Sequence, residues 1–160
     1  MAHSEPKVAR VQVVTISDTR TLETDESGKL CVELLAKAGH VVAGRTVVPD
    51  DPARVEALCR SVAGEVDAIV LNGGTGVAPR DTTYEAISRL LEKRLDGFGE
   101  LFRMLSYAEV GSRAMVSRAV AGVYEKTVIF SMPGSTKAVR LAMERLVCPE
   151  LSHIVGELKK

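Results

Sequence analysis

Short β-branched runs alternate with amphipathic stretches of helical period along this chain, and that alternation limits its architecture more than any other feature. Val8 to Ile16 reads as a strand, with Arg10 and Gln12 interrupting only its start. Val41 to Val48 and Asp67 to Leu71 read as two more. Between them, Ser27 is positioned to cap a helix carrying Leu30, Cys31, Leu34 and Leu35, and Gly39 supplies a left-handed stop. Asp51-Pro52 opens a second helix, the acid as cap and the proline in the first turn, with Val55, Leu58 and Val62 on one face. Asp81 is a candidate cap for a third helix bearing Ala86, Ile87, Leu90 and Leu91. Gly97-Phe98-Gly99 breaks the next periodic stretch, which resumes from Glu100 to Tyr107. Ser135 opens the last helix, with Val139, Leu141, Ala142 and Leu146.

Strands that alternate with helices predict an α/β fold, a mostly parallel sheet with helices on both faces. Arg118 to Val123 and Thr127 to Met132 are joined by a turn near Glu125-Lys126, too short for a helical crossover, so one antiparallel strand pairing is expected. At 160 residues, with no linker or repeat, the chain is expected to be a single domain over residues 1–160. Residues 1–7 are expected to be a disordered tail that includes His3.

Charge excludes some partners. The 21 basic and 21 acidic residues cancel, and aromatics are 4% with no Trp, so neither a phosphate-backbone surface nor a base-stacking platform is supplied and no nucleic-acid partner is expected. No apolar run approaches the ~20 residues that span a bilayer, and the first seven residues do not form a signal peptide, so no membrane partner and a cytoplasmic location are expected. Cys31, Cys59 and Cys148 are too dispersed for a metal knuckle or redox pair and read as small apolar side chains.

Chemistry is expected beyond the carboxyl ends of the strands, where open α/β sheets bind ligands. Four such ends carry polar or glycine-rich segments: Thr15 to Asp18, Val48 to Asp51, Leu71 to Gly76 and Ser131 to Ser135. Ser17, Gly74 and Ser135 are therefore expected to line one pocket. Two of the segments are glycine loops feeding a helix start, which aims N–H groups at an anion. Neither is a Walker loop or a dinucleotide fingerprint, so the reading is a phosphate-bearing ligand. Asp51 reads as a cap, whereas Asp50 beside it has no local structural duty. His40 and His153 have no acid or cysteine partner nearby and read as non-catalytic.

At these segments the chain resembles the molybdenum cofactor biosynthesis protein B and molybdopterin adenylyltransferase (MoaB/Mog) family. The matching stretches are Thr15 to Arg20, Asp25 to Gly28, Asn72 to Gly76 with Pro79 to Asp81, Gly97 to Ser106, Ser117 to Gly122 and Met132 to Ala138. The resemblance runs from about Val11 to Leu151 and is specific as an ordered set. It implies a three-layer α/β domain assembled as trimers or hexamers. It also implies transfer of AMP from ATP to the terminal phosphate of molybdopterin, with release of pyrophosphate, and contact with other enzymes of that biosynthesis. Carried over by position, Asp50 and Asp81 match the catalytic and magnesium-binding acids. Ser17, Asp18, Gly73, Gly74, Thr75 and Gly76 fall on the nucleotide side. Ser106, Ser117, Pro133, Gly134 and Ser135 fall near the pterin and its phosphate. Arg80 or Lys137 could neutralise phosphate charge.

One departure stands out. Several adenylyltransferase members read Pro-Gly-Asn-Pro-Lys where this chain has Pro133-Gly134-Ser135-Thr136-Lys137; this form, together with the Phe102-Arg103-Met104-Leu105-Ser106 stretch, looks like the B branch. Some B-branch members lack transferase activity and the acid matching Asp50. That acid is present here. The alternative the resemblance leaves open is a non-catalytic molybdopterin-binding or assembly protein.

Overall fold

The computed structural model describes residues 7–160; the predicted tail lies outside them but for Lys7. In chain order the elements are β1 (Arg10–Ile16), α1 (Glu26–Lys37), β2 (Val41–Val48), α2 (Pro52–Val62), β3 (Ala68–Asn72), α3 (Thr83–Leu90) and β4 (Lys93–Arg94). They continue as α4 (Asp96–Val110), a 3₁₀ segment (Gly111–Val116), β5 (Val120–Tyr124), β6 (Thr127–Met132) and α5 (Thr136–Ala142). A π turn, Met143–Val147, then leads into α6 (Cys148–Leu158). The six strands form one sheet in the order β2-β1-β3-β6-β5-β4. β1, β2, β3 and β6 are parallel, and β5 pairs antiparallel with β6 as expected. On its outer side β5 also pairs antiparallel with β4, a two-residue strand that carries no apolar signal.

Side-chain alternation along the strands divides the core in two. Val11, Val13, Ala68, Val70, Val128, Phe130 and Met132 face one layer, built from α1, α4, α5 and α6. Val14, Ile16, Ile69, Leu71 and Ile129 face the other, built from α2 and α3. The mostly parallel sheet thus sits between two helical layers.

Three local expectations are corrected. The cap of α1 is Asp25, whose carboxylate accepts the Gly28 N–H (3.0 Å), and Ser27 lies inside the helix. The Ser27 hydroxyl is used elsewhere, donating to Asn72 Oδ1 (2.7 Å). Asp81 does not cap α3; its carboxylate turns back to accept the Ala78 N–H (3.1 Å). Finally, α4 begins at Asp96 and runs through Gly97 and Gly99. Glycine is tolerated in a first turn, and at Gly99 a Cβ would stand 2.8 Å from the Ala119 carbonyl oxygen, so the helix needs glycine there to approach the sheet.

His40, between α1 and β2, is buried, and its Nδ1 accepts the Ala9 N–H (3.0 Å). That bond requires a neutral ring, and burial lowers the His40 pKa from its ordinary 6.5. The unfolded chain then binds the extra proton first, so the contribution to stability is full above about pH 6.5 and is lost as the pH falls below it. Thermal melts between pH 7.5 and 5.5 should show Tm falling with pH, with a flatter slope for His40→Gln; equal slopes would show that other groups govern this window.

Candidate functional site

The carboxyl ends of β1, β2, β3 and β6 lie on one edge of the sheet, and the loops leaving them enclose two adjoining cavities. The larger, about 380 Å³, is lined by Gly74, Thr75, Gly76, Asp81, Phe102, Ser106, Arg113, Ser117, Pro133, Gly134, Ser135 and Lys137, among others. That volume lies in the range of small-molecule sites. The smaller, about 160 Å³, is lined by Ile16, Ser17, Asp18, Thr19, Asp50, Gly74, Arg80 and Asp81. Gly74 and Asp81 belong to both walls. The expectation of one pocket holding Ser17, Gly74 and Ser135 is therefore corrected: Ser17 and Ser135 face different cavities, and Gly74 stands between them. Gly73 lines neither. It donates its N–H to Met132 O (2.9 Å) at φ +108°, and a Cβ there would collide with the Ile16 carbonyl.

The acids are held with care. Asp50 Oδ1 accepts from the Thr82 N–H (3.2 Å) and hydroxyl (2.8 Å), so Asp50 has a structural duty that sequence neighbours do not reveal: it caps α3 from a distance. Its own N–H donates to Asp18 Oδ1 (2.9 Å). Asp81 Oδ2 closes the loop on Ala78. Asp50 Oδ2 and Asp81 Oδ1 have no hydrogen-bond donor among the described residues. At Gly74 (φ +69°) a Cβ would collide with Thr83 Oγ1 and come within 2.9 Å of Asp50 Oδ2, so glycine opens the space beside the acid. Among the described residues, Thr83 Oγ1 is buried there without a partner, and Ser117 Oγ is likewise buried and unpartnered beside the larger cavity. Ser135 Oγ caps α5 through the Ala138 N–H (3.1 Å).

A buried network supports this edge from below. Asp25, wholly buried, accepts from Thr15 Oγ1 (2.7 Å) and Arg45 Nη1 (3.0 Å). Asn72 Nδ2 donates to Thr15 Oγ1 (3.0 Å), and Arg20 Nη1 reaches both Ser27 Oγ (2.7 Å) and Gly134 O (3.3 Å). Sequence reasoning gave no role to Arg20, Asp25, Asn72 or Thr83. Their only signal was membership in the matched stretches or a place beside one.

Three acids line the small cavity with Arg80 as its basic residue, and such a wall repels a polyphosphate unless a cation intervenes. Two carboxylate oxygens without protein donors suit a hard divalent ion that also takes phosphate oxygens and water, so these residues fit magnesium. Among the described residues, no cluster of three or more His, Cys, Asp or Glu could hold a metal unaided. None of the described helices is long and apolar enough to cross a membrane.

A largely parallel sheet whose carboxyl edge opens on paired cavities is the architecture of an α/β ligand-binding protein. The family profile described as "Probable molybdopterin binding domain" matches residues 12–153. Molybdenum cofactor biosynthesis protein B of Bacillus subtilis is 54% identical, over 97% of this chain and 93% of that protein. A crystal structure of molybdenum cofactor biosynthesis protein B superposes with a TM-score of 0.93 at 52% identity, covering 98% of this chain and 99% of the other. The tungsten cofactor synthesizing protein MoaB from Pyrococcus furiosus gives 0.86 at 36% identity, covering 98% and 100%. The chain belongs to the MoaB family of molybdenum cofactor biosynthesis proteins.

Proposed function

We propose that this protein acts in the cytoplasm as a magnesium-dependent molybdopterin adenylyltransferase, transferring AMP from ATP to the terminal phosphate of molybdopterin and releasing pyrophosphate. The observation that carries the reading is the shared wall: Asp81 and Gly74 face both cavities, and Asp50 faces the smaller one with an uncommitted oxygen. The small cavity, with Ser17, Asp18 and Gly74, takes the nucleotide phosphates; of the other loop residues expected there, Thr75 and Gly76 line only the larger cavity and Gly73 lines neither, because the loop turns from one compartment to the other at Gly74. The larger one, with Ser106, Ser117 and Pro133 to Ser135, takes the pterin and its phosphate.

In the reaction an oxygen of the molybdopterin phosphate forms a bond to the α-phosphorus of ATP, and the bond to the bridging oxygen of pyrophosphate breaks. The attacking phosphate is already ionised, so no residue serves as general base. The barrier is repulsion and alignment of two polyanions. Magnesium, when bound, would supply charge neutralisation for the phosphates. Asp50 and Asp81 would hold it, each already anchored through its other oxygen. Arg80 lines the smaller cavity and Lys137 the larger, where either would neutralise the charge of a bound phosphate. Incubation of the purified protein with ATP, Mg²⁺ and molybdopterin should yield adenylylated molybdopterin and pyrophosphate. Molybdopterin binding without product would favour the non-catalytic binder instead.

We further propose a homo-oligomer, trimer or hexamer. Leu101, Met104 and Tyr107 recur at every third position of α4 and are 46%, 61% and 64% exposed, and Met115 beyond them is 77% exposed. A cluster of this kind marks an interaction surface. Light scattering should report a multiple of the chain mass at micromolar concentration, and Met104→Glu should lower it. A wild-type protein of monomeric mass would refute the assembly.

A further inference from the structure

The loop from Thr75 to Asp81 carries the acid shared by the two cavities, yet it has little packing of its own. Val77 is 69% exposed, and Ala78, Pro79 and Arg80 are exposed as well. From inside, it is closed by the Asp81 N–H donating to Ala78 O (2.9 Å) and by Asp81 Oδ2 accepting from Ala78. From outside, among the described residues, the hydrogen bonds that hold it come from a single residue. The Arg118 N–H donates to Thr75 O (2.9 Å), its Nε to Gly76 O (2.9 Å) and its Nη2 to Asp81 O (2.8 Å). Both ends of the loop are thus fastened to one residue, its backbone N–H holding Thr75 and its side chain holding Gly76 and Asp81, contributed by the segment that leads into β5.

The guanidinium is itself oriented. Both Nη atoms donate to the Glu85 carboxylate on α3, and the group lies over the Tyr84 ring, 5.1 Å from its centroid. Glu85 is held below the ordinary carboxylate pKa chiefly by its hydrogen bond to Arg118. Three acceptors in different directions, two backbone carbonyls and one carboxylate, match a planar fork and not a single ammonium. We infer that Arg118 is the positioning residue for Asp81: it fixes the backbone from which that carboxylate projects and thereby sets how tightly the site holds its cation. The inference rests on the proposed transfer reaction.

Arg118→Lys keeps the charge and loses the fork. It should lower kcat for AMP transfer by about 10²-fold, the scale of a displacement near 1 Å, with KM for ATP and molybdopterin changed far less. The Mg²⁺ concentration for half-maximal activity should rise by about 10-fold, as for other groups that orient a metal ligand. In the metal-free, ligand-free protein, amide exchange should accelerate at residues 76–82 and stay unchanged in β1 and β3. A general structural role would instead raise exchange throughout and leave the Mg²⁺ requirement unaltered. If Arg118→Lys does not melt cooperatively, Glu85→Gln decides the matter: it loosens the fork from its outer side and should shift the Mg²⁺ requirement and the exchange of 76–82 in the same direction. Wild-type kcat, Mg²⁺ requirement and exchange in Arg118→Lys, with an active wild type, overturn the inference and leave the reaction standing. An inactive wild type overturns the reaction and the inference with it.

Discussion

Asp81→Asn is expected to fold as the wild type does and to lose most AMP transfer. Its Oδ2 accepts the Ala78 N–H, and the asparagine carbonyl can take over that bond, so the loop closure survives. What asparagine cannot supply is the second anionic oxygen at the wall between the cavities. Removing one preorganised electrostatic contact typically costs ~10²–10³ in rate, about 2.7–4 kcal/mol of barrier, and loss of a metal ligand should cost at least as much. Asp50→Asn should behave in the same way. Its bond to the Thr82 N–H and hydroxyl can be kept by the amide oxygen, so α3 stays capped while the charge disappears. Molybdopterin binding should persist in Asp50→Asn, whose side chain faces only the smaller cavity, and in Asp81→Asn it should be lost far less than transfer, because Asp81 is one wall residue among many in the larger cavity. The measurement is transfer rate under limiting Mg²⁺ alongside a thermal melt. Wild-type rates in both variants would remove the metal-site assignment and favour a protein that only binds the pterin.

Gly73→Ala is expected to destabilise the fold strongly for a single added methyl group. Gly73 sits at φ +108°, where side chains are strained, and its Cβ would collide with the carbonyl of Ile16 at the end of β1. That neighbour is sheet backbone and cannot swing aside. On the other side, a Cβ at Gly134 would already come within 3.2 Å of Gly73 Cα, so the two loops pack backbone against backbone. Strain of this kind costs about 1–3 kcal/mol, and displacing a strand end adds to it. A loss of about 2–4 kcal/mol corresponds to a Tm lower by roughly 5–15 °C for a chain of this size. Gly97→Ala is the matched control. It lies in the first turn of α4 with open space around it, and should leave Tm unchanged or slightly raised. A Gly73→Ala protein that melts with the wild type would show that the junction of β1, β3 and β6 is looser than its geometry implies.

What could be read in the sequence was local. β2 matches its expected limits because a valine-rich run, interrupted only at Gly44-Arg45-Thr46, lies between the Gly39 stop and Pro49. The β5–β6 hairpin was placed by spacing alone, since its two turn residues, Glu125 and Lys126, adopt positive φ without the glycine or asparagine that normally marks such a turn. The cap of α2 at Asp51 was legible because acid and proline sit together. What could not be read was mostly contact over distance. Asp50 looked idle because its partner is Thr82, and Arg118 drew no role beyond its place at the start of an expected strand because its acceptors lie on the glycine loop and α3. The glycines of α4 looked like a break because sequence shows flexibility but not the strand that one of them approaches. The four strand-end segments were correctly expected at one edge of the sheet. Their division between two cavities depends on where Gly74 and Asp81 stand, which no periodicity encodes.

That division has a consequence for turnover. Because Gly74 and Asp81 line both compartments, a molecule that joined their contents would occupy both at once. Each half would keep the other at high local concentration, so the joined molecule would be held far more tightly than either half alone. Bond formation in the proposed reaction would therefore produce the tightest ligand the protein meets, and escape of that ligand would set the pace. A partner able to accept it directly would then speed the cycle more than any improvement in the bond-forming step.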